Sequence, residues 1–206
     1  MFNHFSLLER YISQNPNELS KEQILNLEHE IKHPDPNTIS DEFLDFKLWC
    51  IGYPSRQERF AEYLANKLSR KTKILEVGCG KTARLSRFLS QKEFHMTAMD
   101  PKLTLTNCNT VTLIKDSFDK NFDVSMYDYV IAQEPCDATE HIVRACTTCN
   151  TSFIMSLCGV PHKLISGKMP KSSEEWYNYL TNISPDLKLR YITFDPFTQT
   201  VILKNF

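Results

Sequence analysis

The chain has 206 residues, 41% of them hydrophobic, and a formal net charge of −1. That size supports one substantial core, and near-neutrality removes the simplest signature of a nucleic-acid binder, which usually carries a marked basic excess. The seven cysteines are scattered and odd in number, "MFNHFSLLERYISQ" lacks the apolar block of a signal or anchor, and no run approaches a membrane span. A cytoplasmic chain with reduced thiols, no structural disulfide and no membrane contact is expected.

The first elements read as helices. Phe2, Phe5, Leu8 and Ile12 share one face, and Ser20-x-x-Gln23 is a capping box before "ILNLEHEI". The prolines of "HPDPNT", His33 to Thr38, end that helix, and another is expected over roughly Asp41 to Trp49. Ser55-x-x-Glu58 is a second capping box, followed by Phe60, Tyr63, Leu64 and Leu68 at helical spacing. Residues 1–54 are therefore assigned as a helical extension and 55–206 as the main domain.

From Lys73 the pattern changes to short apolar runs, "KILEV", "FHMTAM", "TVTLI", "YDYVIAQ" and "TSFIMSL". Near-continuous apolar strands separated by helices imply a parallel sheet covered on both faces. One helix is expected to run to Leu89, burying Leu85, Phe88 and Leu89, and a second to start at Asp137 as N-cap. The short connections around the second and third strands predict stunted helices there. A helix from Ser173 to Ile183 and a β-hairpin, "LKLRYITF" and "TVILKNF" around the turn "DPFTQ", close the chain.

The stretch "KILEVGCGKTARL" admits three readings. Gly80-Lys81-Thr82 imitates a phosphate-binding loop, but the glycine needed five positions earlier is Leu75, inside a strand. Gly78-Cys79-Gly80-Lys81-Thr82-Ala83 fits a dinucleotide fingerprint, with Asp100 twenty residues beyond Gly80. Glu76 opposes that reading, because a carboxylate in the crevice would face a pyrophosphate; the oxidoreductase it implies requires Glu76 to point away. A cationic ligand reverses the objection. S-adenosylmethionine carries an ammonium and a sulfonium and no phosphate.

"EVGCG", Glu76 to Gly80, resembles the acid-x-G-x-G motif of class I S-adenosylmethionine-dependent methyltransferases. The terminal hairpin is similar to that family's sixth strand and inserted antiparallel seventh. The resemblance implies an α/β fold with a Rossmann-like mixed seven-stranded sheet, mostly parallel with an antiparallel C-terminal strand, and S-adenosyl-L-methionine as cofactor. It implies that Gly78 and Gly80 admit the methionine part and that Glu76 helps hold its amino group.

Ligands in open α/β sheets bind at the carboxyl ends of the strands. Asp100 is placed to accept from both ribose hydroxyls, and Asp116 from the adenine amino group, with Ser117 and Phe118 lining the pocket. The fourth strand end supplies Gln133 toward the cofactor, Glu134 as general base or ammonium contact, and His141 as a second catalytic candidate. No N-P-P-Y string occurs here; "CDATEH" instead resembles a C-D-x-A-T-D string of a group that includes RNA-modifying members. Cys158, His162 and Lys163 are candidates for the acceptor side, and Arg56 or Arg59 for a contact over the cofactor. Cys146-x-x-Cys149 with Cys136 and Cys158 could imitate a four-thiolate site, but packed reduced thiols are preferred and no metal is assigned.

The expected activity is methyl transfer to an unidentified acceptor, a small molecule in preference to RNA, with the helical extension helping to select it. A nicotinamide-dependent oxidoreductase and a non-catalytic partner-binding scaffold are the alternatives.

Overall fold

The computed structural model describes residues 4–14, 19–35, 39–194 and 197–206. The chain divides into two compact units, Met1–Arg59 and Phe60–Phe206.

The first unit contains α1 (His4–Gln14), α2 (Lys21–Lys32) and α3 (Asp41–Cys50). Leu8, Tyr11, Leu27, Phe43 and Phe46 form its core, with Ile12 and Trp49 at the margin. The Ser20–Gln23 capping box is present. Ser40 caps α3 by accepting from Phe43 N, and its own N–H and hydroxyl donate to Glu30 at 2.9 and 2.5 Å, tying α2 to the start of α3. Phe2, the Phe5 side chain and residues 36–38 of the proline turn lie outside the described set. The fourth helix, α4 (Arg56–Lys67), begins with the expected reciprocal Ser55–Glu58 bonds.

The second unit is built on seven strands: β1 (Lys73–Val77), β2 (His95–Met99), β3 (Val111–Ile114), β4 (Tyr129–Gln133), β5 (Ser152–Ser156), β6 (Lys188–Phe194) and β7 (Phe197–Lys204). Their order is β3-β2-β1-β4-β5-β7-β6, with β7 antiparallel to both neighbours. The expected mixed sheet is thus present. Side-chain alternation explains its two covered faces. Ile74, Ile131, Ile154 and Val201 face the layer holding Phe60, Leu64 and α5 (Arg84–Ser90). Leu75, Val130, Phe153 and Ile202 face α6 (Thr139–Thr148) and α7 (Ser173–Thr181), where Trp176 and Leu180 are buried. Each such large apolar side chain contributes about 1.5–3 kcal/mol by leaving water.

No helix lies between β2 and β3 or between β3 and β4. Leu103, Phe118 and Val124 cover the sheet there directly from the loops. Two sequence expectations need correction. Asp137 does not cap α6: it sits in a short 3-10 turn, Cys136–Ala138, and its carboxylate accepts instead from His162 N at 3.1 Å. The hairpin turn is shorter than "DPFTQ", because Phe197 to Gln199 already belong to β7; Asp195 and Pro196 lie outside the described residues. Among the described residues no helix is long and apolar enough to cross a membrane.

Candidate functional site

β1 and β4 are hydrogen-bonded neighbours, while the chain leaves β1 toward β2 on one side and β4 toward β5 on the other. Their carboxyl ends are the topological switch point, where diverging loops leave a crevice. A cavity of about 430 Å³ opens there, walled by Gly78, Asp100, Asp116, Ser117, Phe118, Glu134, Cys136, Asp137 and His141 among others.

The turn after β1 is shaped by a close approach. Gly78 has φ +75°, and a Cβ on it would lie 3.1 Å from Pro135 Cβ and 3.2 Å from Pro135 Cα. Only glycine satisfies both constraints without displacement. Gly78 N donates to Met99 O at 2.9 Å, and Gly80 N donates to Asp100 Oδ2 at 2.9 Å. The other carboxylate oxygen, Asp100 Oδ1, accepts from Lys102 N at 2.7 Å. Two backbone donors therefore fix the Asp100 carboxylate at the cavity wall, and each oxygen keeps a lone pair for a ligand hydroxyl. Leu75 is fully buried and paired with Thr97 and Val130, so no long phosphate-wrapping loop exists.

Glu76 is placed differently from the residues around it. It is buried, lies outside the cavity wall, and its Oε2 accepts from Ser86 N at 2.9 Å and from Ser86 Oγ at 2.5 Å. Burial pushes its carboxyl up to about 7, with the Ser86 hydrogen bonds pulling down and the Asp100 charge adding to the rise. The electrostatic objection to a dinucleotide is correspondingly weaker at this position. The antiparallel β7 is what departs from an all-parallel dinucleotide domain.

On the opposite wall, Asp116 is exposed and accepts from Ser117 N at 2.7 Å, while Phe118 is buried and tilted against Phe122 with 5.2 Å between ring centroids. Gln133 ends β4 outside the cavity wall, its Oε1 buried and without a hydrogen-bond partner among the described residues. Glu134 follows with φ +53°, and its N–H extends the ladder to Ser156 O at 3.0 Å. Gln199 Nε2 donates to Glu134 Oε1 at 3.3 Å, and Ser156 Oγ donates to Gln199 Oε1 at 3.0 Å. Gln199 had no sequence signal, since its relevance depends on β7 entering beside β5. His141 Nδ1 accepts from Lys120 N at 3.0 Å, so the neutral ring carries its hydrogen on Nε2 and presents a donor there.

Of the further candidates, Cys158, His162 and Lys163 are not in the cavity wall. Cys136 is in the wall, and its Sγ donates to Glu134 O at 3.4 Å. Arg56 pairs with Asp45 at 3.3 Å, and the Arg59 guanidinium stacks over Tyr53 at 4.9 Å. Cys146 is buried in the core beneath α6, Cys149 is half-buried, and among the described residues no group of three or more His, Cys, Asp or Glu is arranged to hold a metal ion.

No protein-family profile and no curated protein matches the sequence. Among solved structures, magnesium protoporphyrin IX methyltransferase (ChlM) from Synechocystis PCC 6803 with bound SAH is similar at 11% identity and a TM-score of 0.52, covering 95% of this chain and 98% of that one. The same enzyme with bound SAM gives 12% identity, a TM-score of 0.51, and 98% and 97% coverage. At this identity the likeness concerns the fold: a class I methyltransferase fold, with the strand order and antiparallel β7 described above.

Proposed function

We propose, from this methyltransferase fold, that the chain transfers a methyl group from S-adenosyl-L-methionine to an acceptor. The observation that carries the reading is the Gly78–Pro135 approach beside the doubly clamped Asp100, a glycine-lined cradle next to a fixed two-oxygen acceptor at the switch point. The cofactor would supply an electrophilic methyl on a sulfonium.

The chain's own residues bind and orient. Asp100 accepts from the ribose hydroxyls, and Asp116 and Ser117 flank the adenine. Gly78 and Gly80 allow close backbone approach, and behind that cradle Glu76 supplies a carboxyl that is charged only above about pH 7 and Gln133 an acceptor oxygen. In-line displacement depends mainly on positioning, so a base is needed only for a protonated acceptor. Glu134, held by Gln199, takes that role, and His141, which carries its hydrogen on Nε2 because Nδ1 accepts from Lys120 N, donates a hydrogen bond to the methyl acceptor. The near-neutral charge favours a small-molecule acceptor over RNA, and the segment 1–54 is read as the extension that selects it.

Calorimetric titration with S-adenosylhomocysteine tests this, with oxidised and reduced nicotinamide dinucleotides in parallel. One-to-one binding of S-adenosylhomocysteine alone is expected. Heat from a dinucleotide instead would move the chain to the oxidoreductases, and silence from all three would favour a non-catalytic scaffold.

A further inference from the structure

The chain's overall charge of −1 conceals a local excess of positive charge at one edge of the sheet. β6 is an edge strand, paired with β7 on one side only. A groove of about 460 Å³ follows it from Lys188 to Thr193, roughly 17 Å at about 3.3 Å per residue. Tyr63 and Lys67 of α4, with Phe206, form its other wall. The wall lies within the second unit and shares no residue with the cavity at the switch point.

Strand alternation puts Lys188 and Arg190 on the same face as Ile192, which packs against the layer of Phe60 and Leu64. Lys67 comes from α4, across the groove. All three cations are exposed, and among the described residues none of their side chains makes a hydrogen bond or ion pair. No acidic side chain among the described residues lines the groove, so these cations face at most one negative group, the α-carboxylate of Phe206. Charges on an edge strand also deter unwanted strand pairing, which accounts for Lys188 and Arg190. It does not account for Lys67, on a helix, or for Tyr191.

Tyr191 alternates to the other face but still borders the groove, at the open edge of the sheet. It is 78% exposed and makes no ring contact among the described residues. Within the groove, Tyr63 stacks with Phe60 and with Phe206, each at 6.5 Å between ring centroids, which gives a packed aromatic floor. A small-molecule site is enclosed and mostly apolar. This groove is long, narrow and cationic, with an exposed ring at its margin, and those are the features that hold an extended polyanion bearing planar groups. Its volume over that length admits one chain and not a duplex.

We infer that the groove between β6 and α4 binds single-stranded nucleic acid without base specificity, Lys67, Lys188 and Arg190 meeting backbone phosphates and Tyr191 stacking on a base. The recognised chemistry is the phosphodiester chain that RNA and DNA strands share. Because the groove and the cavity have separate walls, this site stands apart from the methyltransferase reading and leaves the small-molecule acceptor unchanged.

The test is fluorescence anisotropy of short fluorescein-labelled oligouridylate and oligothymidylate strands titrated with the purified chain, with a duplex, an oligoglutamate peptide and the unlabelled strand as competitors. Saturable binding of at least one strand is expected. It should weaken about twentyfold between about 50 and 200 mM salt, since three phosphate contacts on a single strand give a logarithmic slope of about −2. Lys188→Ala combined with Arg190→Ala should leave a slope of about −0.7. Tyr191→Ala should weaken binding about fivefold or more. Lys168→Ala, on an exposed loop outside the groove, should change nothing. The substituted side chains are exposed, and circular dichroism verifies that each variant is folded. A preference between uridylate and thymidylate identifies the kind of strand and supports the inference in either direction. No binding of either strand, a duplex or oligoglutamate competing as well as the unlabelled strand, or affinity indifferent to the groove variants would overturn it. Absence of S-adenosylhomocysteine binding would count against the methyltransferase reading alone.

Discussion

Glu76 Oε2 accepts both the backbone N–H and the hydroxyl of Ser86, at 2.9 and 2.5 Å, so the acid of the β1 motif is fastened to the first turn of α5 beneath the cavity. The same residue links sequence, packing and charge. Its strand position buries it, burial opposes its ionisation, and the two Ser86 donors offset only part of that cost.

The first prediction concerns pH. The folded carboxyl titrates near 7, whereas an unfolded glutamate titrates at about 4.3. Between those values the folded state holds a proton that the unfolded state has released, so this group's contribution to stability is full below about pH 4 and is lost as pH rises through 7. The difference corresponds to at most roughly 4 kcal/mol. Glu76→Gln keeps an acceptor oxygen for Ser86 and cannot ionise. Thermal unfolding at pH 5 and pH 8 should show the variant gaining on the natural chain at the higher pH. An equal difference at both values would mean that Glu76 does not titrate in this range.

The second prediction separates two glycines that the motif treats alike. Both have positive φ, but a Cβ at Gly78 meets Pro135 whereas one at Gly80 meets nothing within 4 Å. Gly80→Ala should therefore cost about 1–2 kcal/mol, the left-handed backbone alone. Gly78→Ala adds a collision with Pro135 and should destabilise further, and Gly78→Val should abolish S-adenosylhomocysteine binding. Urea unfolding with calorimetry on the three variants checks this. Equal losses at both positions would assign the whole effect to backbone angle.

Most of the architecture was legible because each element carries its own periodic signal. The runs from "KILEV" to "TSFIMSL" became β1 to β5 within a residue or two, and both serine capping boxes formed as expected. Of the residues named at strand ends, Gly78, Asp100, Asp116, Ser117 and Glu134, with His141 on α6, line one cavity, whereas Glu76, Gly80 and Gln133 lie outside its wall. What could not be read depends on which strands become neighbours. Gln199 reaches Glu134 only because β7 inserts beside β5. Asp137 was misread for a local reason, since an aspartate before a helical pattern is a good cap unless a 3-10 turn carries it past the helix start.

The last prediction concerns the long connection between β5 and α7. Glu140, buried in the first turn of α6, accepts from Ile165 N at 2.8 Å, from Tyr179 OH at 2.6 Å and from Arg144 Nε at 2.8 Å. One carboxylate thereby holds the loop, α7 and α6 together. Burial pushes its carboxyl up, but the bonds from Tyr179, Ile165 N and Arg144 outweigh it and hold the group below its ordinary value. The stabilisation it supplies is thus present above the ordinary glutamate range and lost as pH falls through the lowered folded value. Tyr179→Phe should cost about 1 kcal/mol, and Glu140→Ala, which leaves the Ile165 N–H without its acceptor and the tyrosine hydroxyl with only the longer bond to Ser166 O, roughly 2–3 kcal/mol. Urea unfolding at pH 7 measures both. Trypsin should also cut at Lys163 and Lys168 faster in Glu140→Ala than in the natural chain, because the clamp on that loop is gone. Unchanged cleavage with reduced global stability would place the effect of Glu140 in α6 packing and remove it from the loop.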